Sequence, residues 1–144
     1  LRTCYYHRRL FAQLAKELIK QGDHVRARKV LTYAEQAVPA YNVPEIYESG
    51  SFDIATAYAA LGEKTKAVTL FNHLIAESED YINWAFSLGN GRTGMMQNDC
   101  LYKFWQWNAY NERMKEIDKE SYEASNRRFE EKYALFTQII NNRN

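Results

Sequence analysis

The feature that most constrains the fold of this chain is a pattern of small, apolar and turn residues that occurs twice, forty positions apart. In its first copy, residues 11–39, small and apolar side chains recur at intervals of three and four on both sides of Gly22. This spacing predicts two amphipathic helices joined by a tight turn, where glycine takes the left-handed conformation. Six positions match between the copies: Leu14, Ala15, Leu18, Gly22, Ala27 and Leu31 align with Ile54, Ala55, Tyr58, Gly62, Ala67 and Phe71. Two consecutive helical hairpins are therefore predicted.

The expected hairpins span residues 5–39 and 45–78, with Asp23 capping the second helix of the first one. Ala27 and its counterpart Ala67 are expected where the two helices of a hairpin approach closely. Between the hairpins, Pro39 and Pro44 exclude a continuous helix, and an extended crossover is predicted there.

The second half of the chain lacks this repeat but keeps helical character. A short helix over 80–88 with Asp80 as its cap, a loop over 89–94 and a helical pair over 95–141 are predicted. The apolar stripe of the last segment slips by one residue near Asp118, so we expect two antiparallel helices that meet there. Together, residues 1–144 are expected to form a single α-helical domain.

The order of small, large and turn residues in both copies resembles the tetratricopeptide repeat. That resemblance implies an all-α superhelix of two repeats, closed by the C-terminal helical pair because a repeat buries its face only against a neighbour. Such arrays commonly bind peptides along the first helix of each pair. By register, that groove would be lined by Arg9, Ala12, Lys16, Ile19, Lys20, Phe52, Thr56, Ala59 and Ala60. The Lys and Asn that clamp a peptide carboxylate in one group of these proteins are replaced by Ala12 and Lys16. The basic side chains of the groove would then bind an anionic peptide or remain solvated.

No pattern in the sequence indicates catalysis, a cofactor or a metal within this fragment. Residues 89–94 read GNGRTG and match GxGxxG, but a dinucleotide site needs a preceding strand, and a helix is predicted there instead. The three histidines are scattered without ligand spacing. The two cysteines, Cys4 and Cys100, are predicted to pack as buried thiols or to form one disulfide.

The formal net charge is +1, so no global field favours nucleic acid. A mildly basic N-terminal region is interleaved with carboxylates, which is typical of a solvated face; it comprises Arg8, Arg9, Arg26, Arg28 and Lys29. A protein or peptide is the expected partner. The chain opens on Leu1 in the middle of a helical pattern, and we expect it to belong to a longer protein.

Several stretches also resemble the soluble C-terminal domain of a bacterial family of multi-pass membrane proteins similar to protein O-mannosyltransferases. They are residues 6–9, 38–44, 47–51, 57–58 with 61–62, and 81–88. The resemblance implies a membrane-associated domain on the extracytoplasmic (periplasmic) side, whose parent carries its catalytic acidic residues in the membrane region. The expected function is a non-catalytic interaction or scaffold domain of a glycosyltransferase-like membrane protein. The alternative is a free-standing soluble adaptor or chaperone-type scaffold that binds peptides.

Overall fold

The computed structural model describes residues 2–142, which are all-α, with 85% helix and no strand in that range. The all-α prediction is confirmed. The elements are α1 (Arg2–Lys20), α2 (His24–Ala37), a 3-10 helix (Tyr47–Ser49), α3 (Ser51–Ala60), α4 (Lys64–Ser87), α5 (Asn90–Met95), α6 (Gln97–Ile117) and α7 (Lys119–Asn141). Two compact units make up the chain, 1–74 and 75–144, and α4 contributes residues to both. Each unit is described by itself, and the expectation of one domain stays a prediction.

The two predicted hairpins end their first helices with the same turn. In the first, Gly22 has a φ of 78° and donates its N–H to the Ile19 carbonyl, while the Asp23 N–H reaches the Leu18 carbonyl. The second repeats both bonds: Gly62, at φ 76°, bonds Ala59, and the next N–H bonds Tyr58. This pair of bonds is the Schellman arrangement, which satisfies the last carbonyls of a helix and favours glycine.

Small residues let the helices of the first unit approach closely. Ala27 and Ala67 are fully buried, as predicted, and so are Ala12 and Ala15 on α1, which packs against both α2 and α3. Asp23 caps α2 as predicted, because its carboxylate accepts the Arg26 N–H at 3.0 Å.

The crossover between the hairpins returns the chain to α1. A turn at Pro39 begins it, and the 3-10 helix follows. It ends at Gly50, which has a φ of 84° and lies so close to α1 that an added Cβ would be 2.8 Å from Arg9 Cγ. Glycine is required at this position both by its backbone conformation and by the space available.

In the second unit, α6 and α7 form an antiparallel pair that meets at Asp118, as predicted. The Trp107 indole N–H donates to Ser125 Oγ at 2.8 Å, and that hydroxyl donates to Asn111 Oδ1 at 2.6 Å. The Phe104 ring packs against three aromatic rings of α7, with centroids 5.1 to 5.6 Å apart. This contact buries Phe104 and Phe136 of the aromatic stripe that the sequence indicated, while Tyr133 stays partly exposed.

Two local predictions in residues 78–95 are wrong. Helix α4 continues through Asp80, which lies exposed within the helix and begins no new one, because no Gly or Pro interrupts the segment before Gly89. Residues 90–95 form helix α5 rather than a loop. The buried Thr93 hydroxyl donates to the carbonyls of Ala85 (2.7 Å) and Gly89 (3.1 Å), which fixes this turn against the end of α4.

The burial of Ala27 leads to a stability prediction. Leucine at this position adds three carbon atoms to a site with no exposed surface, so Ala27→Leu should lower the free energy of unfolding by about 1–3 kcal/mol. Ala37→Leu, at an exposed position of the same helix, is the matched control and should change it little. Urea denaturation of both variants measures the difference, and equal stabilities would show that the close approach does not depend on Ala27.

Candidate functional site

A buried arginine joins α1 to the crossover. Arg8 is 5% exposed, and its guanidinium donates to three carbonyl and two hydroxyl oxygens at 2.8 to 3.3 Å. The acceptors are the carbonyls of Val38, Val43 and Pro44 and the hydroxyls of Ser49 and Ser51. The sequence placed Arg8 on a solvated face, which is wrong. It shares the buried face of α1 with Ala12 and Ala15, at helical spacings of four and three.

The positive charge of the Arg8 guanidinium is buried. Burial lowers the pKa of the guanidinium, and the negative charge of nearby Glu45 opposes that shift. A buried charge is costly unless its hydrogen-bonding groups are satisfied, and the fork of an arginine side chain fits several oxygens at once. The crossover supplies those oxygens, so α1 determines its course.

A pocket of about 300 Å³ lies beside Arg8, within the first unit. Its buried lining is mainly apolar, with Arg8, Ser51 and Tyr58 as the polar members, and its rim carries exposed polar side chains. The lining residues come from α1, α2, the crossover, α3 and α4: Arg8, Leu31, Ala34, Glu35, Val38, Ala40, Glu45, Ser51, Ile54, Tyr58, Thr65, Lys66, Thr69, Leu70 and His73. This volume is at the lower end of the range for small-molecule sites and accommodates one large side chain.

Two pairs of charged or titratable groups cross the rim of the pocket. Lys66 Nζ of α4 is 3.3 Å from Glu35 Oε1 of α2, and His73 Nδ1 of α4 is 2.9 Å from Glu45 Oε2 of the crossover. Each carboxylate therefore faces a basic partner, and the rim has no large excess of one charge. An apolar interior with an internally paired rim is suited to an uncharged apolar group.

Tyr58 connects the rim to the interior. Its hydroxyl donates to Glu35, and its ring lies 4.9 Å from Lys66 Nζ in a cation–π contact. Burial, and then the hydrogen bond to Glu35, raise the pKa of Tyr58 above its usual value. A phenolate here would face a carboxylate in a partly buried place, so Tyr58 acts as a neutral hydrogen-bond donor.

The basic residues of the groove predicted from sequence already have partners. The Arg9 guanidinium donates to the Glu48 carbonyl, Lys16 Nζ lies 3.1 Å from Asp53 Oδ1, and Lys20 Nζ lies 2.6 Å from Glu17 Oε1. Each of these interactions is exposed and therefore weak. The Lys16–Asp53 pair does bring α1 and α3 together on one face.

The uncharged members of the predicted groove have mainly structural contacts. Ile19 is half-buried on α1, and Phe52 packs its ring against Tyr47 and Phe71 at 5.6 and 6.0 Å. The Thr56 hydroxyl donates to the Phe52 carbonyl, and Ala12 is fully buried. None of these residues lines the pocket. The groove stays a prediction, while the pocket involves a different set of side chains.

Sequence reasoning missed the pocket because its residues come from five separate segments. Glu35 and Lys66 are ordinary surface charges in the sequence, and only the packing of α2 beside α4 pairs them. One signal was available for Arg8. It follows the spacing of the alanines that line the buried face of α1.

Both cysteines lie outside the pocket. Cys4 and Cys100 are free thiols, and burial raises the pKa of Cys100, which keeps it protonated near neutral pH. Within residues 2–142, no group of three or more His, Cys, Asp and Glu side chains is arranged to hold a metal ion. In the same range, no helix has the length and apolar character needed to cross a membrane.

Comparisons with protein-family models, with curated proteins and with solved structures gave no match for this chain.

The hydrogen bonds of Arg8 predict that substitution by lysine destabilises the fold much more at Arg8 than at the neighbouring Arg9. Arg8→Lys replaces a fork that serves five oxygens by one ammonium group, and it should lower the free energy of unfolding by about 2–4 kcal/mol. Arg9→Lys, at the exposed neighbouring position, should cost no more than about 0.5 kcal/mol. Chemical denaturation of the two variants measures this, and equal losses would contradict the role assigned to Arg8.

The raised pKa of Tyr58 predicts that its contribution to the free energy of unfolding falls at alkaline pH. A raised folded-state pKa stabilises the fold fully below the usual value of 10.0, and this stabilisation falls as pH rises further, because the unfolded chain ionises first. Tyr58→Phe should therefore lower the free energy of unfolding by about 1 kcal/mol at pH 7 and by less at pH 11. Urea denaturation from pH 7 to 11 tests this, with the exposed Tyr41→Phe as the control. A difference that is constant with pH would show that Tyr58 titrates normally.

Proposed function

We propose that this chain is a non-catalytic interaction domain, in which the pocket of the first unit takes an apolar side chain of a partner protein or peptide. The observation that carries the proposal is the pocket itself, with its buried apolar interior and a rim of paired charges. An apolar cavity with a few convergent polar groups is the usual form of a binding site. The hydroxyl and ammonium groups at the rim provide hydrogen bonds for the backbone next to the inserted side chain.

We also propose that the two hairpins are tetratricopeptide-like repeats. The identical turns at Gly22 and Gly62, the buried Ala27 and Ala67 and the packing of α1 on α3 support this. A repeat hairpin packs on its neighbour, and concave or lateral surfaces between repeats are where such proteins bind partners. The pocket lies among α2, α3 and α4, and so between the two hairpins.

The resemblance to the periplasmic domain of glycosyltransferase-like membrane proteins belongs to the same proposal. Three of its stretches, residues 6–9, 38–44 and 47–51, meet at Arg8 in the structure and form one physical unit. In this proposal the domain holds a partner or acceptor protein near the membrane, and the chemistry belongs to another part of the parent protein. The DNA sequence preceding the codon for Leu1 tests the parentage, since it would have to encode spaced apolar segments of about 20 residues.

A pocket-filling substitution tests the binding role. Thr69→Trp places a large ring at the exposed rim of the pocket, whereas Thr32→Trp places the same ring on an exposed position of α2 outside it. Peptides selected by phage display on the unmodified chain should bind the Thr69→Trp variant at least about tenfold more weakly, a change of about 1.4 kcal/mol. They should bind the Thr32→Trp variant normally. Failure to select any peptide, or equal binding to both variants, would refute the pocket as the site.

A further inference from the structure

An apolar surface of the first hairpin is exposed, although the second hairpin buries the counterparts of two of its residues, Leu10 and Leu14. Leu14 is 49% exposed, although its counterpart in the repeat, Ile54, is 6% exposed. The sequence placed Leu14 on the buried stripe of α1, and the structure corrects this. The exposed apolar residues Tyr6, Leu10 and Leu14 of α1 and Val25 and Tyr33 of α2 are together called the outer face.

The equivalent positions of the second hairpin show what covers such a face. Gly50, the counterpart of Leu10, is in contact with Arg9 of α1. Ile54, Thr65 and His73, the counterparts of Leu14, Val25 and Tyr33, line the pocket opposite α2. Gly50 and Ile54 are buried, whereas Thr65 and His73 are exposed at the rim of the pocket, so the first hairpin covers only the counterparts of Leu10 and Leu14. By the same register, the side of α1 that carries Leu10 and Leu14 is where another helix would pack on the first hairpin.

The charges around the outer face indicate which charge its partner carries. Helical spacing places Arg2, Arg9 and Lys20 along one edge of the apolar stripe of α1. On α2, Lys29 lies between Val25 and Tyr33 in sequence and forms no ion pair within residues 2–142. The single carboxylate of α1, Glu17, pairs with Lys20 and offsets its charge, so Arg2, Arg9 and Lys29 supply the positive charge around the outer face. A basic frame around an apolar stripe complements a partner with the opposite pattern.

We propose that the outer face docks an amphipathic α-helix of a partner protein, whose apolar side is flanked by carboxylates. Apolar residues at helical spacing insert along Tyr6, Leu10 and Leu14, as in other helix-in-groove complexes. Carboxylates of the partner pair with Lys29 on α2 and with Arg2 on α1. A second copy of the chain is a poorer occupant, because two outer faces would bring their basic edges together.

This proposal is independent of the pocket. The residues of the outer face are absent from the pocket lining, and the two surfaces lie on different sides of α2. A variant with a blocked pocket, Thr69→Trp, should therefore retain helix binding.

Two matched synthetic peptides test the proposal on the whole chain. Both are fluorescein-labelled 20-residue helices with Leu and Ala at i, i+3, i+4 and i+7, one flanked by Glu and the other by Lys. Fluorescence anisotropy should show that the Glu peptide binds at least about tenfold more tightly at low salt. The difference should decrease at high salt. Equal affinities for the two peptides, or no binding by either, would overturn the proposal.

Variants of exposed residues locate the binding. Leu10→Ser with Leu14→Ser should weaken binding of the Glu peptide at least about tenfold, while Met95→Ser, an exposed apolar residue of the second unit, should leave it unchanged. Charge reversal at Arg2 and Lys29 should shift the binding preference towards the Lys peptide without removing apolar surface. Circular dichroism verifies that each variant is folded. Unchanged binding by both sets of variants would overturn the proposal.

The same variants distinguish two other occupants of the outer face, a lipid membrane and a second copy of the chain. Vesicles of phosphatidylglycerol and phosphatidylcholine offer an anionic lipid surface, which basic amphipathic faces also bind. Binding to vesicles that Leu10→Ser with Leu14→Ser abolishes, without binding of the Glu peptide, would assign the face to a membrane and reject a protein helix. Sedimentation equilibrium that shows a dimer abolished by the same variant would assign it to a second copy.

Discussion

The first unit depends on a buried positive charge that is satisfied by neutral oxygens. Arg8 extends from α1 into the bend of the crossover, and three carbonyls and two hydroxyls surround its guanidinium. A buried cation without these partners would be very costly, so the crossover has few alternative conformations. Gly50 completes the arrangement, because its left-handed backbone and missing side chain let α3 begin directly against α1.

The same arrangement creates the pocket. The interval between the two hairpins is forty residues, longer than the ~34 of common tetratricopeptide repeats. The additional residues lie in the crossover, and Val38, Ala40 and Glu45 of that segment form one wall of the pocket. A connection that followed the shorter period would let α2 and α4 pack without this wall. The crossover is thus the origin of the candidate site.

The parts of the fold that were predictable from sequence are those determined by local rules. Gly22, Gly62 and the buried alanines signal turns and close contacts through their own conformational and steric properties, and the phase slip near Asp118 signals a helix boundary. Asp80 and residues 90–95 were misjudged, because a capping residue or a glycine-rich run is decided by its surroundings. Thr93 makes a helical turn there through hydrogen bonds to α4 that no local pattern encodes. The pocket could not be predicted from the sequence for the same reason, because Glu35 and Lys66 become partners only in the folded chain.

Leu14 and Ile54 show how far a repeat in sequence differs from a repeat in environment. They occupy equivalent positions of the two hairpins, and both belong to an apolar helical pattern, yet one is half-exposed and the other is buried. Periodicity identifies which residues of a helix share a face, but a neighbouring element decides whether that face meets water. The second hairpin has such a neighbour in α1 and α2. On the first hairpin, the apolar residues of the outer face stay exposed between basic side chains. Large exposed apolar patches on proteins usually mark interaction surfaces. The difference in burial between these two equivalent residues is therefore the starting point for the proposed docking of a helix on the first hairpin.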